Sequence, residues 1–218
     1  MAQKTDQLGI FAKYWEPGRV KTRLAASIGA EHAASIYAAS LRTLLERFGR
    51  FPAHRRLLIT PPDKQAEFIE IASARWTVGA QSDGDLGQRM ESYFAGAFRD
   101  GQRRTVLIGS DSPTLPLEYI ETAFDLLQHH RVVLGPADDG GYYLVGASEQ
   151  VPPIFSRMHW STASVWERTV ERLESHSISW TSLPPWYDVD DEASLHRLMS
   201  EIQQAAPGEW SYLKQVLA

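Results

Sequence analysis

No cysteine occurs in this chain of 218 residues. Disulfides, thiolate metal sites and a cysteine nucleophile are therefore excluded, which fits a reducing compartment. No apolar run approaches 18 residues, and the opening MAQKTDQLGIFAK has no signal-peptide core, so a cytoplasmic protein without a membrane span is expected. Excess positive charge is missing as well. Lys and Arg number 22 against 27 Asp and Glu, for a net charge of −5 and a pI of about 5.8, so no basic field awaits nucleic acid. The fingerprints G-x-x-x-x-G-K-[ST] and G-x-G-x-x-G are absent, which argues against a Walker loop and a dinucleotide oxidoreductase. Repeats and low-complexity linkers are absent too, and the length suits one large α/β domain over residues 1–218.

What is present is an alternation of short apolar runs with helical patterns. LGIFA (8–12), RRLLIT (55–60), WTVGAQ (76–81), RTVLIG (104–109), RVVLGPA (131–137), YYLVGAS (142–148) and ISWTSLP (178–184) read as strands. Residues 23–48 read as helix broken near Gly29, and 63–73, 86–101, 118–130, 162–177 and 192–206 as further helices. Such alternation implies right-handed crossovers and a mainly parallel sheet covered on both faces, a three-layer α/β/α sandwich. YYLVG follows RVVLG too closely for a helical crossover, so part of the sheet is expected to be antiparallel. The 11% aromatic content serves either the core or a homodimer interface.

Ligands bind beyond the carboxyl ends of the strands in such sheets, and every unusual segment falls there. EPGRVKTRL (16–24) packs Arg19, Lys21 and Arg23 into five residues, with a helix expected to start near Val20. Phosphate or diphosphate gives these cations a purpose at a helix N-terminus; solvated side chains on a turn are the alternative. GSDSPTLP (109–116) ends a strand on Asp111, which either takes Mg²⁺ or Mn²⁺ together with phosphate oxygens or makes an Asx turn. In YDVDDE (187–192), Asp188 and Asp190 point the same way if the segment is extended. Asp190 or Asp191 alternatively caps the next helix. In GPADDGGYYLVG (135–146), Asp139, Gly140 and Gly141 either approach a ligand closely or form a hairpin turn.

Together FAKYWEPGRVKTRLA, GDLGQRM, GSDSPTLP, GPADDGGYYLVG, HWST and YDVDD resemble a bacterial glycosyltransferase-A-like family often labelled radical-SAM/selenodomain-associated transferase. The likeness runs from about Phe11 to Asp191. It implies a nucleotide-diphospho-sugar transferase (Rossmann-like) fold, distantly similar to molybdenum-cofactor and phospholactate nucleotidyltransferases. Trp15 departs from the family motif, which usually has Pro there, and the AGGxGxR signature of sugar-phosphate nucleotidyltransferases is absent. By this resemblance the first loop, with Lys13, Gly18, Arg19, Lys21 and Arg23, holds the nucleotide phosphates. Gln81, Gly84, Asp85 and Gly87 sit near base or ribose. Asp111 matches the metal-binding acid of the D-x-D motif, Asp190 is the second ligand for Mg²⁺ or Mn²⁺, and Lys21, Asp111 and Asp139 carry the catalysis. Asp139, Gly140 and Gly141 line the sugar or acceptor side, with His159, Trp160 and Ser161 on a neighbouring loop. Ser161 or Thr162 alternatively caps the following helix.

The implied activity is a metal-dependent transferase acting on a nucleotide-activated substrate. Glycosyl transfer from a nucleotide-diphospho-sugar to a small-molecule acceptor leads, because a phosphorylated acceptor needs basic residues beside Asp139 and only Arg157 is near in sequence. Guanylyl- or cytidylyl-type transfer to a phosphorylated small molecule is the alternative, and a non-catalytic nucleotide-binding protein the second alternative.

Overall fold

Aliphatic runs only three to five residues long build the centre of the protein. In a computed structural model, described for residues 5–160, 162–206 and 209–218, these runs are β1 (Asp6–Lys13), β2 (His54–Thr60), β3 (Thr77–Ala80), β4 (Arg104–Ile108), β5 (Val132–Pro136), β6 (Tyr142–Ser148) and β7 (Trp180–Ser182). The helices are α1 (Thr22–Ile28), α2 (Ala30–Phe48), α3 (Gln65–Ala72), α4 (Leu86–Arg99), α5 (Leu117–Leu126), α6 (Val165–Ser175), α7 (Glu192–Gln204) and α8 (Ser211–Leu217). The strands form one seven-stranded sheet of order β3-β2-β1-β4-β6-β5-β7. Only β6 opposes its neighbours β4 and β5; the other pairings are parallel. The antiparallel strand is YYLVG, as its short connection requires. The carboxyl ends of β1 to β5 and β7 therefore share one edge.

Side-chain alternation sends each strand's residues to two faces. Leu8, Ile10, Leu57, Ile59, Val106 and Ile108 pack with Leu44 and Phe48 of α2, Phe68 of α3 and Phe124 of α5. On the opposite face Leu58, Leu107, Leu134 and Val145 pack with Met90, Tyr93 and Phe94 of α4 and Leu173 of α6. Phe48, Phe68, Phe94 and Phe155 are fully buried, and each contributes about 1.5–3 kcal/mol relative to exposure. A further cluster joins Leu24 of α1, Ile36 of α2, Leu195 and Leu198 of α7, Leu213 of α8, and Tyr187 and Val189 of the segment before α7.

The break between α1 and α2 falls at Gly29, where φ is +86°, a region L side chains rarely adopt. α1 opens at Thr22, two residues after the expected start near Val20, because Lys21 holds a left-handed conformation with φ 49° and ψ 45°. α8 was not expected from the sequence pattern. It docks on α2 through cation–π contacts, Arg42 over Tyr212 and Arg47 over Trp210, the latter at 4.5 Å. Among the described residues no helix is long and apolar enough to cross a membrane.

Candidate active site

Three loops leave the carboxyl edge and meet at Lys21. The first follows β1. Its Tyr14 and Trp15 rings lie 4.8 Å apart, and Trp15 packs edge-on against Phe68 at 5.1 Å. That apolar anchor stands where the family motif usually has proline. The second loop follows β4 and carries Ser110, Asp111 and Ser112. The third, 187–190, crosses in front, held where Val189 N donates to the Asp111 carbonyl at 2.9 Å. Tyr37 of α2 stitches the first two together. Its hydroxyl accepts from Lys13 N at 2.9 Å and shares a hydrogen bond with Ser110 Oγ at 2.7 Å. Burial, helped by the nearby Asp111 charge, pushes that hydroxyl up to about 12.

The Lys21 ammonium sits between two carboxylates. It pairs with Asp111 and, at 2.7 Å, with Asp190 Oδ1. Its side chain is 3% exposed, whereas those of Asp111 and Asp190 are 40% and 43% exposed. Burial alone would lower the lysine, but Asp111 and Asp190 more than reverse this and hold it charged above its ordinary value. Asp188 lies beside them and accepts from Ser112 Oγ at 2.5 Å. Burial and then repulsion from Asp111 push its carboxyl up to about 7. Of the two acids that competed for the cap of α7, Asp191 takes it, in a capping box with Ser194. Asp190 is thereby left free to face Lys21.

A cavity of about 660 Å³ opens in front of these acids. Asp111, Asp139, Asp188 and Asp190 line it, and among the described residues Arg23 is the one cation in its lining. Its apolar lining includes Phe11, Leu86, Met90, Tyr142 and Trp160. The β5–β6 turn is a hairpin, and Asp139 Oδ1 closes it by accepting from Gly141 N at 2.9 Å. The turn reading of that motif holds, and Asp139 and Gly141 also line the cavity.

The structure disperses the other expected residues. The three cations diverge: Lys21 turns inward and is not in the cavity lining, Arg19 reaches outward to Glu16 at 3.4 Å, and Arg23 faces the cavity. α1 has only seven residues, and Lys21 at its N-cap makes no side-chain cap bond. Lys13 donates to the Arg19 carbonyl at 2.8 Å across the turn that contains Gly18. Gln81 Nε2 donates to Ala12 O and Leu58 O, tying β1 to β2, and Gln81 lines a separate cavity. Asp85 caps α4 in a capping box with Gln88, beside Gly84. Gly87 is a close-approach position, where an added Cβ would stand 2.2 Å from Phe155 O and 2.7 Å from Trp160 Nε1. Gly140 has φ +89° and packs on Ala163. His159 O accepts from Thr162 Oγ1 at 2.8 Å, while α6 is capped at Ser164, with no side-chain cap bond. Ser161 lies outside the described residues. The sequence pointed to Asp188 only as a companion of Asp190 and did not single out Tyr37 or Ser112; their contacts span 73 and 76 residues.

Among the described residues no three acidic or imidazole side chains are arranged as a metal cage. Asp111 and Asp190 nevertheless converge on one cationic centre, with the Lys21 ammonium as the stand-in ion. One or two carboxylates suffice for Mg²⁺ or Mn²⁺ when phosphate oxygens complete the shell, so the donor set fits such a cation.

The layer order, the single reversed strand and the acids at the carboxyl edge define an α/β protein with the fold of nucleotide-diphospho-sugar transferases and nucleotidyltransferases. The chain belongs to DUF2064, a family described as uncharacterized proteins conserved in bacteria, whose model matches residues 43–162. A crystal structure from Desulfovibrio desulfuricans G20, described as a candidate nucleotide-diphospho-sugar transferase, is similar over 99% of this chain and 94% of its own, with 33% identity and a TM-score of 0.92. A cytidylyltransferase from Leptospira borgpetersenii shares the fold at 17% identity and a TM-score of 0.62, over 99% of this chain and 93% of its own. The inositol-1-phosphate CTP transferase from T. maritima does so at 12% and 0.56, over 92% and 97%. No curated protein matches the sequence. The radical-SAM/selenodomain label finds no support in these comparisons.

Proposed function

We propose that this protein is a divalent-cation-dependent transferase of nucleotide-activated substrates, and that it moves a glycosyl group from a nucleotide-diphospho-sugar to an uncharged hydroxyl acceptor. The observation that carries this reading is the group of half-exposed carboxylates, Asp111 and Asp190, at the mouth of a 660 Å³ cavity on the carboxyl edge of this fold. The description of the D. desulfuricans relative supports the same class.

In this reading Asp111 and Asp190 hold Mg²⁺ or Mn²⁺, which supplies positive charge against the diphosphate. Arg23 faces that diphosphate from the first loop, as a fork suited to phosphate oxygens. Lys21 offsets the acids from behind. Met90 and Trp160 add apolar surface to the same cavity, and lower local polarity strengthens charge interactions. Asp139 presents its carboxylate on the acceptor side, held by Gly141 N, where it orients the attacking hydroxyl and takes its proton.

Charge separates this from nucleotidyl transfer. A phosphorylated acceptor adds negative charge to a cavity already lined by four acids and one arginine. Arg157, the other basic residue near this motif in sequence, is not in that lining; its carbonyl accepts from Arg172 Nη2 at 2.8 Å. An uncharged acceptor carries no such penalty. The test is a thermal-shift screen of nucleoside diphosphates, triphosphates and nucleotide sugars, with and without Mn²⁺. A nucleotide sugar that raises the melting temperature only with Mn²⁺ is expected, because a ligand selective for the native state stabilises it by mass action. Stabilisation by CTP or GTP together with a sugar phosphate, and by no nucleotide sugar, would favour nucleotidyl transfer. No response to any nucleotide would overturn both.

A further inference from the structure

We propose that Lys21 is a built-in counter-charge that makes cation binding at Asp111 and Asp190 conditional on the diphosphate. The inference rests on reading this pocket as a diphosphate site, and it assigns Lys21 a role other than direct phosphate contact. Lys21 is the most enclosed group of the cluster: its side chain is 3% exposed and is not in the cavity lining, whereas both carboxylates are open to that cavity. A ligand entering the cavity therefore meets the acids first and the ammonium behind them.

Charge counting gives the consequence. Lys21 cancels one of the charges that its two carboxylate partners bring to the point where a divalent ion has to bind. Lys21 also engages one oxygen of each carboxylate, and its positive charge stands within a few ångströms of any cation that the remaining oxygens take up. At that range like charges in a partly desolvated site repel strongly. A diphosphate brings the missing negative charge and oxygen ligands. The pocket is thus tuned to hold cation and diphosphate together and to hold the bare cation weakly.

The backbone fits a deliberately placed lysine. Lys21 adopts φ 49°, a left-handed conformation that is unfavourable for a non-glycine residue. Tyr37 closes over it, with the ammonium 5.8 Å from the ring centroid. Arg23, two residues on, does line the cavity, so the loop presents one cation to the ligand and keeps the other among the acids.

The experiment titrates Mn²⁺ into the nucleotide-free protein and follows free Mn²⁺ by electron paramagnetic resonance. Wild type is expected to bind Mn²⁺ alone only weakly, above roughly millimolar. Lys21→Met should bind one Mn²⁺ per chain at least tenfold more tightly, and adding a nucleoside diphosphate should then improve Mn²⁺ binding less than it does in wild type. Lys21→Gln, which retains a donor for one carboxylate, is the second variant should Met fail to fold, and the same gain is expected of it. Unchanged or weaker Mn²⁺ affinity in a folded variant overturns the inference. Micromolar Mn²⁺ binding by nucleotide-free wild type overturns it without any variant. The two readings fail separately. A tenfold gain in a protein that binds no nucleotide removes the transferase reading alone, while joint nucleotide and Mn²⁺ binding without the gain removes the counter-charge alone.

Discussion

The two edges of the sheet use ion pairs in opposite ways. At the amino edge Arg104 grips Asp6 with two parallel bonds of 2.7 and 2.8 Å and donates to the Phe124 carbonyl at 3.2 Å. These residues face each other in register at the start of β4 and β1. One cation meets one anion, and the arginine fork matches the carboxylate plane. At the carboxyl edge one lysine meets two carboxylates, with a third beside them, and the acids remain open to a cavity. A pair that only joins two strands can be balanced in charge and complete in itself. Here the pocket is left unbalanced, and the excess is negative, opposite in sign to the cation proposed for it.

Four substitutions would break or sharpen that contrast. Asp111→Asn has the largest expected effect. It keeps the shape and removes the charge, so Mn²⁺-dependent nucleotide binding should vanish in calorimetry while the melting curve shows a folded protein. Equal metal-dependent binding by variant and wild type would reduce Asp111 to a structural partner of Lys21.

The next effect appears in the pH dependence of stability. The Asp188 carboxyl is pushed up to about 7 in the folded state, against roughly 3.9 for an unperturbed aspartate. Between those values the folded state keeps a proton that the unfolded state has lost. Stability contributed by this residue therefore falls as pH rises from about 4 to about 7, with a slope of at most one proton, about 1.4 kcal/mol per pH unit. Asp188→Asn should flatten that slope in metal-free urea titrations and leave stability below pH 4 little changed. A slope identical to wild type would show that Asp188 ionises freely.

Arg23→Ala should weaken nucleotide binding by about 1–3 kcal/mol, the range for a charge-assisted hydrogen bond, with no change in melting temperature of the free protein. An unchanged dissociation constant would take Arg23 out of the site. Arg104→Ala should do the reverse. Its pair is partly exposed, at 26% and 20% for the two side chains, so a loss of about 1–2 kcal/mol in stability is expected, with nucleotide binding untouched. Altered binding in that variant would mean that the two edges are coupled.

Much of the architecture was legible because it depends on local pattern. Alternating apolar runs placed all seven strands within a residue or two, and the short link from RVVLG to YYLVG marked the reversed one. Gly29 marked a helix break because the positive φ required there is a local property. α8 was missed because SYLKQVL is too short to show periodicity, and it is held by rings and arginines on α2. In the site, sequence placed Asp111, Asp139, Asp190 and Arg23 on the carboxyl edge, and the family resemblance assigned Gln81, Gly84, Asp85 and Gly87 to base or ribose. In the structure Gln81 bridges strands, Asp85 caps a helix and Gly87 admits the 155–160 loop.

The sequence by itself determined the seven strands, most of the helices, their order along the chain and the excess of acids among the loops at the carboxyl edge, because hydrophobic period and turn chemistry are read along the chain. It could not decide which acid caps α7 and which faces the cavity, nor that Lys21 turns in among the acids while Arg23 faces the cavity. Those choices fell to tertiary structure. Lys21 and Asp190 are 169 residues apart in the chain, and a charge takes its partner and its degree of burial from whatever the fold brings beside it.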